Sequence, residues 1–224
     1  TEKMLKGVRR AMGDVPIVGC SAAGVIVNER AHEDAVAVLA RGGSKAQFHP
    51  VKVEHISRDM REAGRTFGRH LGDIGRERLG GALIFSDALS GNGTELVRGV
   101  LMEMGGNFLL AGGAAGDDMQ FKKTYQYFDD EVLSDAAVGF GIGGDLVFDA
   151  AAGHGWRPIG MRYTATKSNG TTLVELDGKP AFSIYQEYFG DRAVDFKEAL
   201  SLPAVMYPMG MRAAGDDHFL PRCP

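Results

Sequence analysis

The segment MLKGVRRAMGDVPIVGCSAAG (4–24) returns 92 residues later as LVRGVLMEMGGNFLLAGGAAG (96–116). No gap is needed. Gly7/Gly99, Val8/Val100, Met12/Met104, Gly13/Gly105, Ala22/Ala114, Ala23/Ala115 and Gly24/Gly116 are identical pairs. A second match follows at an offset of 101: Asp34-Ala35 answers Asp135-Ala136, and Gly42-Gly43 answers Gly143-Gly144. An internal repeat governs any fold assignment. This one predicts that 2–24 and 94–116 adopt the same helix–strand–loop form and that two similar halves pack together. A seam between such halves is a natural place for a small-molecule cleft. The second copy follows an apolar run, Gly80–Asn92, which the first lacks because the sequence begins at Thr1 without a Met. The expectation is a fragment lacking at least one strand at its front. The strand of Val15–Val18 would then lack a neighbour that Phe108–Ala111 possesses.

Working outward, the hydrophobic periodicity gives an α/β chain with an α+β tendency, built of strand–helix–strand units around mixed sheets. Helices are expected at 2–12, from a Ser57 or Asp59 cap to about Leu71, at 94–104 and at Ala181–Phe189, the last with Pro180 in its first turn. Strands are expected at Val15–Cys20, Ala35–Ala40, Ala46–Ile56, Gly81–Ser86, Phe108–Ala111, Lys123–Phe128, Ala136–Ile142 and Leu146–Ala152. Asp129-Asp130 marks a turn. A hairpin is expected around Ser168-Asn169-Gly170, since Asn-Gly is a strong hairpin signal.

Composition narrows the function. The chain has 224 residues, 44% hydrophobic, with a net charge of −4, which is globular rather than disordered. No basic stripe offers the electrostatic footprint of nucleic-acid binding. Arg58, Arg61, Arg65 and Arg69 alternate with Asp59 and Glu62, as a solvated helix face does. No apolar run reaches the roughly 18 residues that span a bilayer. Two distant cysteines, Cys20 and Cys223, fit a reducing cytoplasm. The 32 glycines sit at strand-to-loop junctions, where they permit tight turns and close backbone approach.

Three regions offer chemistry. Gly112-Gly113-Ala114-Ala115-Gly116-Asp117-Asp118, with its counterpart Cys20-Ser21-Ala22-Ala23-Gly24, reads as close packing of small residues or as backbone N–H groups presented to an anion. Asp117 and Asp118 read as a ligand anchor, a turn cap or a cation site. Ser86 and Asp87 end an apolar strand, where open α/β sheets place ligands, and equally read as a helix cap. Trp156 and Arg157 combine ring area with a guanidinium fork, for a ligand or for a structural corner. An amino-acid ligand needs a carboxylate anchor, Arg157, and an ammonium anchor, Asp117 or Asp118. These residues are expected to border one cleft, with Cys20 and Ser21 contributing from the first repeat. No metal site is expected. An enzyme would need His154 and Cys20 to meet as base and nucleophile.

Six stretches together resemble the FIST family of sensory domains: PIVGCSAAG (16–24), ALIFSDALSGNGTELVRG (82–99), LLAGGAAGDD (109–118), SDAAVGFGIGG (134–144), GHGWRPIG (153–160) and LVELDGKPAFSIYQEYFG (173–190). The resemblance implies a bacterial intracellular sensor that binds a small polar ligand, an amino acid among the candidates. It implies a signalling partner such as a histidine kinase or a cyclic-nucleotide enzyme, and neither nucleic acid nor membrane. Haem-based nitric oxide sensing is the alternative that the family suggests, with His49, His70 and His154, and Cys20 beside them, as the candidate haem ligands; an enzyme is the third reading. Arg222-Cys223-Pro224 resembles a Cys-Pro haem-responsive element. The resemblance divides the chain into an N-terminal FIST domain over 1–178 and the beginning of a C-terminal one over 179–224. YPMGM (207–211) and FLPR (219–222) resemble later strands of that second part.

Overall fold

A computed structural model describes residues 1–169, 172–196, 202–212 and 219–222. The chain divides into two compact units, Thr1–Ala151 and Ala152–Pro224. In the first, α1 (Glu2–Met12) leads to β1 (Val18–Cys20), a hairpin of β2 (Val25–Val27) and β3 (Arg30–His32), and β4 (Ala46–Glu54). Then come α2 (Met60–Gly75), β5 (Leu79–Asp87), α3 (Gly93–Met104), β6 (Leu110–Ala115), β7 (Gln126–Phe128), β8 (Glu131–Leu133) and β9 (Ala136–Gly144). The mixed α/β class holds.

The main sheet has the order β4-β9-β5-β6. β9 is antiparallel to both neighbours, and β5 runs parallel to β6, joined to it through α3. β9 is interior and reads as a nearly continuous run of small and apolar residues, as a strand covered on both faces should. A smaller antiparallel sheet, β1-β7-β8, places β1 and β7 near β5 and β9.

α2 shows why its sequence makes a helix here. Asp59 caps it, accepting from Glu62 N at 2.9 Å. Met60, Ala63, Gly64, Phe67, Gly68 and Leu71 are buried at helical spacing. The opposite face carries the arginines, which pair with acids: Arg69 with Glu62 at 2.7 Å, Arg65 with Glu103 at 2.7 Å, and Arg61 with Glu95. α2 crosses α3 at Gly64 and Gly99. A Cβ at Gly64 would overlap the Leu96 carbonyl, and one at Gly99 would overlap that of Arg61. The core beneath holds Phe67, Leu71, Leu96, Val100 and Met104 from the helices with Val51, Ala82, Ile84 and Ala137 from the sheet.

In both repeated segments a helix is followed by a strand, three residues long in β1 and six in β6. α1 and α3 each precede a strand at the 92-residue offset, and each ends on a glycine with positive φ, Gly13 at 71° and Gly105 at 93°. Their partners differ. β1 pairs antiparallel with β7, whereas β6 pairs parallel with β5.

Several expectations need correction. Ala35–Ala40 forms no strand; Val36, Val38 and Leu39 are exposed, and alternation alone makes no strand without a neighbour to bond. Leu146–Ala152 forms none either. After β9 the chain turns, with Leu146 N donating to Gly144 O at 3.0 Å, and the Phe148 ring lies where a Gly81 side chain would stand. β1 begins at Val18 rather than Val15, and β6 runs Leu110–Ala115 rather than 108–111. The β2–β3 hairpin was not foreseen. Its turn residues Asn28 and Glu29 both have positive φ, 49° and 65°, which Asn tolerates better than most.

In the second unit, β10 (Ala165–Asn169), β11 (Thr172–Leu176) and β12 (Lys179–Pro180) form an antiparallel sheet. The hairpin expected around Ser168-Asn169-Gly170 is present as β10 paired with β11; residues 170 and 171 lie outside the described residues. Pro180 belongs to β12, paired with Glu175, so α4 starts later, at Ser183–Phe189. α5 (Leu202–Met206) follows, and then β13 (Met209–Met211) pairs with β14 (Leu220–Arg222). Tyr185, Ala193, Phe196 and Ala204 form this unit's own core.

Candidate functional site

The two glycine- and alanine-rich loops of the repeat are bonded to each other. Ser21 Oγ donates to Gly116 O at 2.7 Å and accepts from Tyr125 N at 3.0 Å. Gly116 N returns a bond to Ser21 O at 3.0 Å, and Ser21 N donates to Tyr125 O at 2.8 Å. A Cβ on Gly116 would stand 2.9 Å from Ala23 N. Close packing therefore accounts for the small residues here, and the backbone N–H groups of Ser21 and Gly116 are spent within the protein rather than turned to an anion.

Ser86 and Asp87 lie at the carboxyl end of β5 and are both buried. Ser86 is flanked in the sheet by Ala114 of β6 and Ala137 of β9. Asp87 does not cap α3; Asn92 does, accepting from Thr94 N at 3.0 Å. The Asp87 carboxylate instead accepts from Leu89 N at 2.8 Å and from Asp135 N at 2.9 Å. Asp135, which the sequence did not single out as chemistry, gathers this region. Its carboxylate accepts from Ser57 N, Ser57 Oγ and Ser90 Oγ, each at 2.8 Å, while its carbonyl accepts from Ile56 N at 3.2 Å. Burial works to raise the Asp135 pKa, but the Ser57 and Ser90 bonds outweigh it and hold the carboxyl below its ordinary value.

Asp117 caps its own loop. Its carboxylate accepts from Lys122 N at 2.7 Å, Phe121 N at 2.9 Å and Lys123 N at 3.0 Å. The bonds from Lys123 and Lys122 are the main cause of its lowered pKa. Asp118 is different. It sits at φ 56°, followed by Met119 at 58°, and its carboxylate has no hydrogen bond or ion pair among the described residues.

Below these loops lies a buried polar pair, Thr124 and Gln126, 1% and 0% exposed. Gln126 Nε2 donates to Thr124 Oγ1 at 3.0 Å, and Gln126 Oε1 has no partner among the described residues. Such an atom is costly unless something satisfies it. Cys20 stands directly opposite Gln126 in the β1–β7 register. Burial pushes the Cys20 thiol pKa up, which keeps it protonated at neutral pH and unsuited to nucleophilic attack. No sequence signal marks Gln126; only the fold buries it.

Two of the three candidate haem histidines, His49 of β4 and His70 of α2, line one open depression of about 490 Å³ with Pro50, Val51, Lys52 and Ile74. His49 Nε2 is buried and has no hydrogen-bond partner among the described residues. His154 belongs to the second unit, where its Nε2 donates to Phe219 O at 2.9 Å. Trp156 and Arg157 also lie in that unit, in irregular exposed chain. Cys223 and Pro224 lie outside the described residues. Among the described residues, no group of three or more His, Cys, Asp or Glu side chains is placed to hold a metal ion, and no helix is long and apolar enough to cross a membrane.

Comparison with known proteins supplies the wider setting. An uncharacterised protein of Methanocaldococcus jannaschii is 40% identical over 82 residues, covering 37% of this chain and 16% of that protein. An uncharacterised protein of Mycobacterium tuberculosis, found in two strains, is 24% identical over 200 residues, covering 88% of this chain and 50% of its own length. The chain thus spans half the length, or less, of the curated relatives it matches. No solved structure matches it. The model of the FIST N domain matches residues 1–179, so the chain belongs to the FIST family of sensory domains.

Proposed function

We propose that this chain is the ligand-sensing part of a signalling protein, and that its first unit binds a small polar molecule, with amino acids as the leading class. The observation that carries the reading is the meeting of the two glycine-rich loops beside buried Gln126, whose Oε1 lacks a partner among the described residues, near the carboxyl end of β5. Ser86, Asp87, Cys20 and Ser21 border this region, and Asp117 shapes the loop that presents Asp118. Asp118, unlike Asp117, has its carboxylate free to meet a ligand ammonium. Trp156 and Arg157 are proposed ligand contacts of the second unit. Residues 179–224 are read as the beginning of the family's C-terminal part, and the output as a partner such as a histidine kinase or a cyclic-nucleotide enzyme in the cytoplasm.

The test is a thermal-shift screen of the amino acids, followed by calorimetry on Asp118→Ala and Gln126→Leu. Removing a charged anchor should weaken binding by about 2–5 kcal/mol. An absence of any stabilising ligand, or wild-type affinity in both variants, removes the reading.

One observation favours a haem-based gas sensor as the second reading: His49 and His70 line one open depression, and the buried His49 Nε2, without a partner among the described residues, is a ring nitrogen of the kind that ligates iron. Haem would supply the gas-binding iron, and Val51 and Ile74 an apolar wall. A Soret band on haem addition that His49→Ala abolishes supports it; no Soret band ends it.

A further inference from the structure

We infer that residues 35–43 are a strand-acceptor site, the empty middle of a second sheet, and that its occupant is one extended apolar strand of the character of β5, delivered as the polypeptide leading into α1. The inference rests on the second repeat, which extends further in structure than in residue identity. At the offset of 101, β2 and β3 coincide with β7 and β8 end for end. Their turns match, with Asn28 at φ 49° and Asp129 at φ 50°. The next elements begin alike, at Asp34 with φ 50° and Asp135 with φ 53°, and end alike on positive-φ glycines, Gly43 and Gly144.

Between those ends the copies part. Residues 136–144 are β9, bonded on both sides, with Ala136, Ala137 and Val138 fully buried. Residues 35–43 bond no strand, and Val36, Val38 and Leu39 are 59%, 54% and 77% exposed. The local backbone instructions are the same; the neighbours are not. An irregular surface loop would not need an alternating apolar run between the same two left-handed signposts that frame a central strand.

The repeat also names the missing neighbours. β9 lies between β4 and β5. β4 follows the first copy of this strand and pairs with the second, Ala46 opposite Gly144. The exchanged counterpart places Val147 opposite Gly43 and Ala151 opposite Leu39. Residues 147–151 are indeed outside any strand, and Val147 is 98% exposed. The counterpart of β5 must enter α1 as β5 enters α3, and must run parallel to β1 as β5 runs to β6. β1 is an edge strand, bonded only to β7, so its other edge is open to receive it.

The experiment places residues 79–92, LGGALIFSDALSGN, directly before Thr1, which reproduces the spacing of β5 to α3. Amide hydrogen exchange is followed in the extended and unextended chains. The expected result is slowing of about 100-fold or more at 36–42 and 147–151 in the extended chain, as for amides entering a cooperative unit. Val38→Lys should abolish it. A scrambled extension should not produce it. If the extended chain does not fold, the same peptide is added in trans to the 224-residue chain, where saturable binding lost in Val38→Lys supports the site. Unchanged exchange together with no peptide binding overturns the inference. So does equal protection by the scrambled extension, or protection of 36–42 in the unextended chain that rises with concentration, which would make a second copy the occupant.

Discussion

Gly7 and Gly99 occupy the same place in two copies of one helix, and they meet opposite surroundings. Gly99 lies against α2, where even one added carbon would overlap backbone; Gly7 has nothing within 4 Å of such a carbon. α3 buries Leu96, Val100 and Met104, whereas α1 buries only Leu5. The same contrast separates Asp34 from Asp135: similar φ, but only Asp135 has Ser57 and Ser90 to hold. Local conformation is written within each copy. Stability comes from what packs on it.

The sharpest way to break this comparison is to put alanine at both glycines. Gly99→Ala should destabilise by about 3 kcal/mol, because α2 must move away. Gly7→Ala should stabilise by up to about 1 kcal/mol, since only helix propensity changes. Urea unfolding midpoints decide it, and equal effects would mean that the two helices do not differ as described. Next comes Asp135→Ala against Asp34→Ala. Both carry the same backbone penalty, so the excess loss at Asp135, about 2 kcal/mol, reports the bonds its carboxylate accepts from Ser57 and Ser90. Equal losses would show those bonds to be idle.

Ser21→Ala should cost about 1 kcal/mol, by removing a hydroxyl that both donates to Gly116 and accepts from Tyr125. No loss would mean that the loops hold together without it. The smallest effect is on pH. The Asp135 carboxyl has a folded pKa below the ordinary Asp value of about 3.9. Its stabilisation is therefore complete above that value and fades as pH falls through the folded pKa. Wild type should lose its advantage over Asp135→Asn in that acid window and keep it at neutral pH. An advantage that does not change with pH refutes the assignment.

Much of the scaffold was legible in the residues. Asp59 before an apolar stripe gave α2, although the helix runs four residues past Leu71. The run ALIFSD gave β5, and the periodicity of 94–104 gave α3. What failed was whatever depends on a partner. Ala35–Ala40 and Leu146–Ala152 have strand patterns and no strand, because backbone bonds need a second chain segment. The site divides the same way. Ser86, Asp87, Ser21 and Asp117 were marked by their loops, but their bonds are mainly internal. Asp135 reaches Ser57, Asp87 and Ser90 from 78, 48 and 45 residues away, a relation no local pattern encodes. Gln126 looks like any polar strand residue until the fold buries it.

The Asp135 carboxylate has a mechanical consequence. Ser90 belongs to the loop between β5 and α3, and Ser57 to the turn just ahead of α2, yet both hydroxyls end on this one group. Asp87, at the end of β5, grips the same residue through its N–H. The 88–92 loop and the turn that starts α2 are therefore tied to each other through one side chain. One residue thus fastens the end of β5 to the start of a sixteen-residue helix, α2.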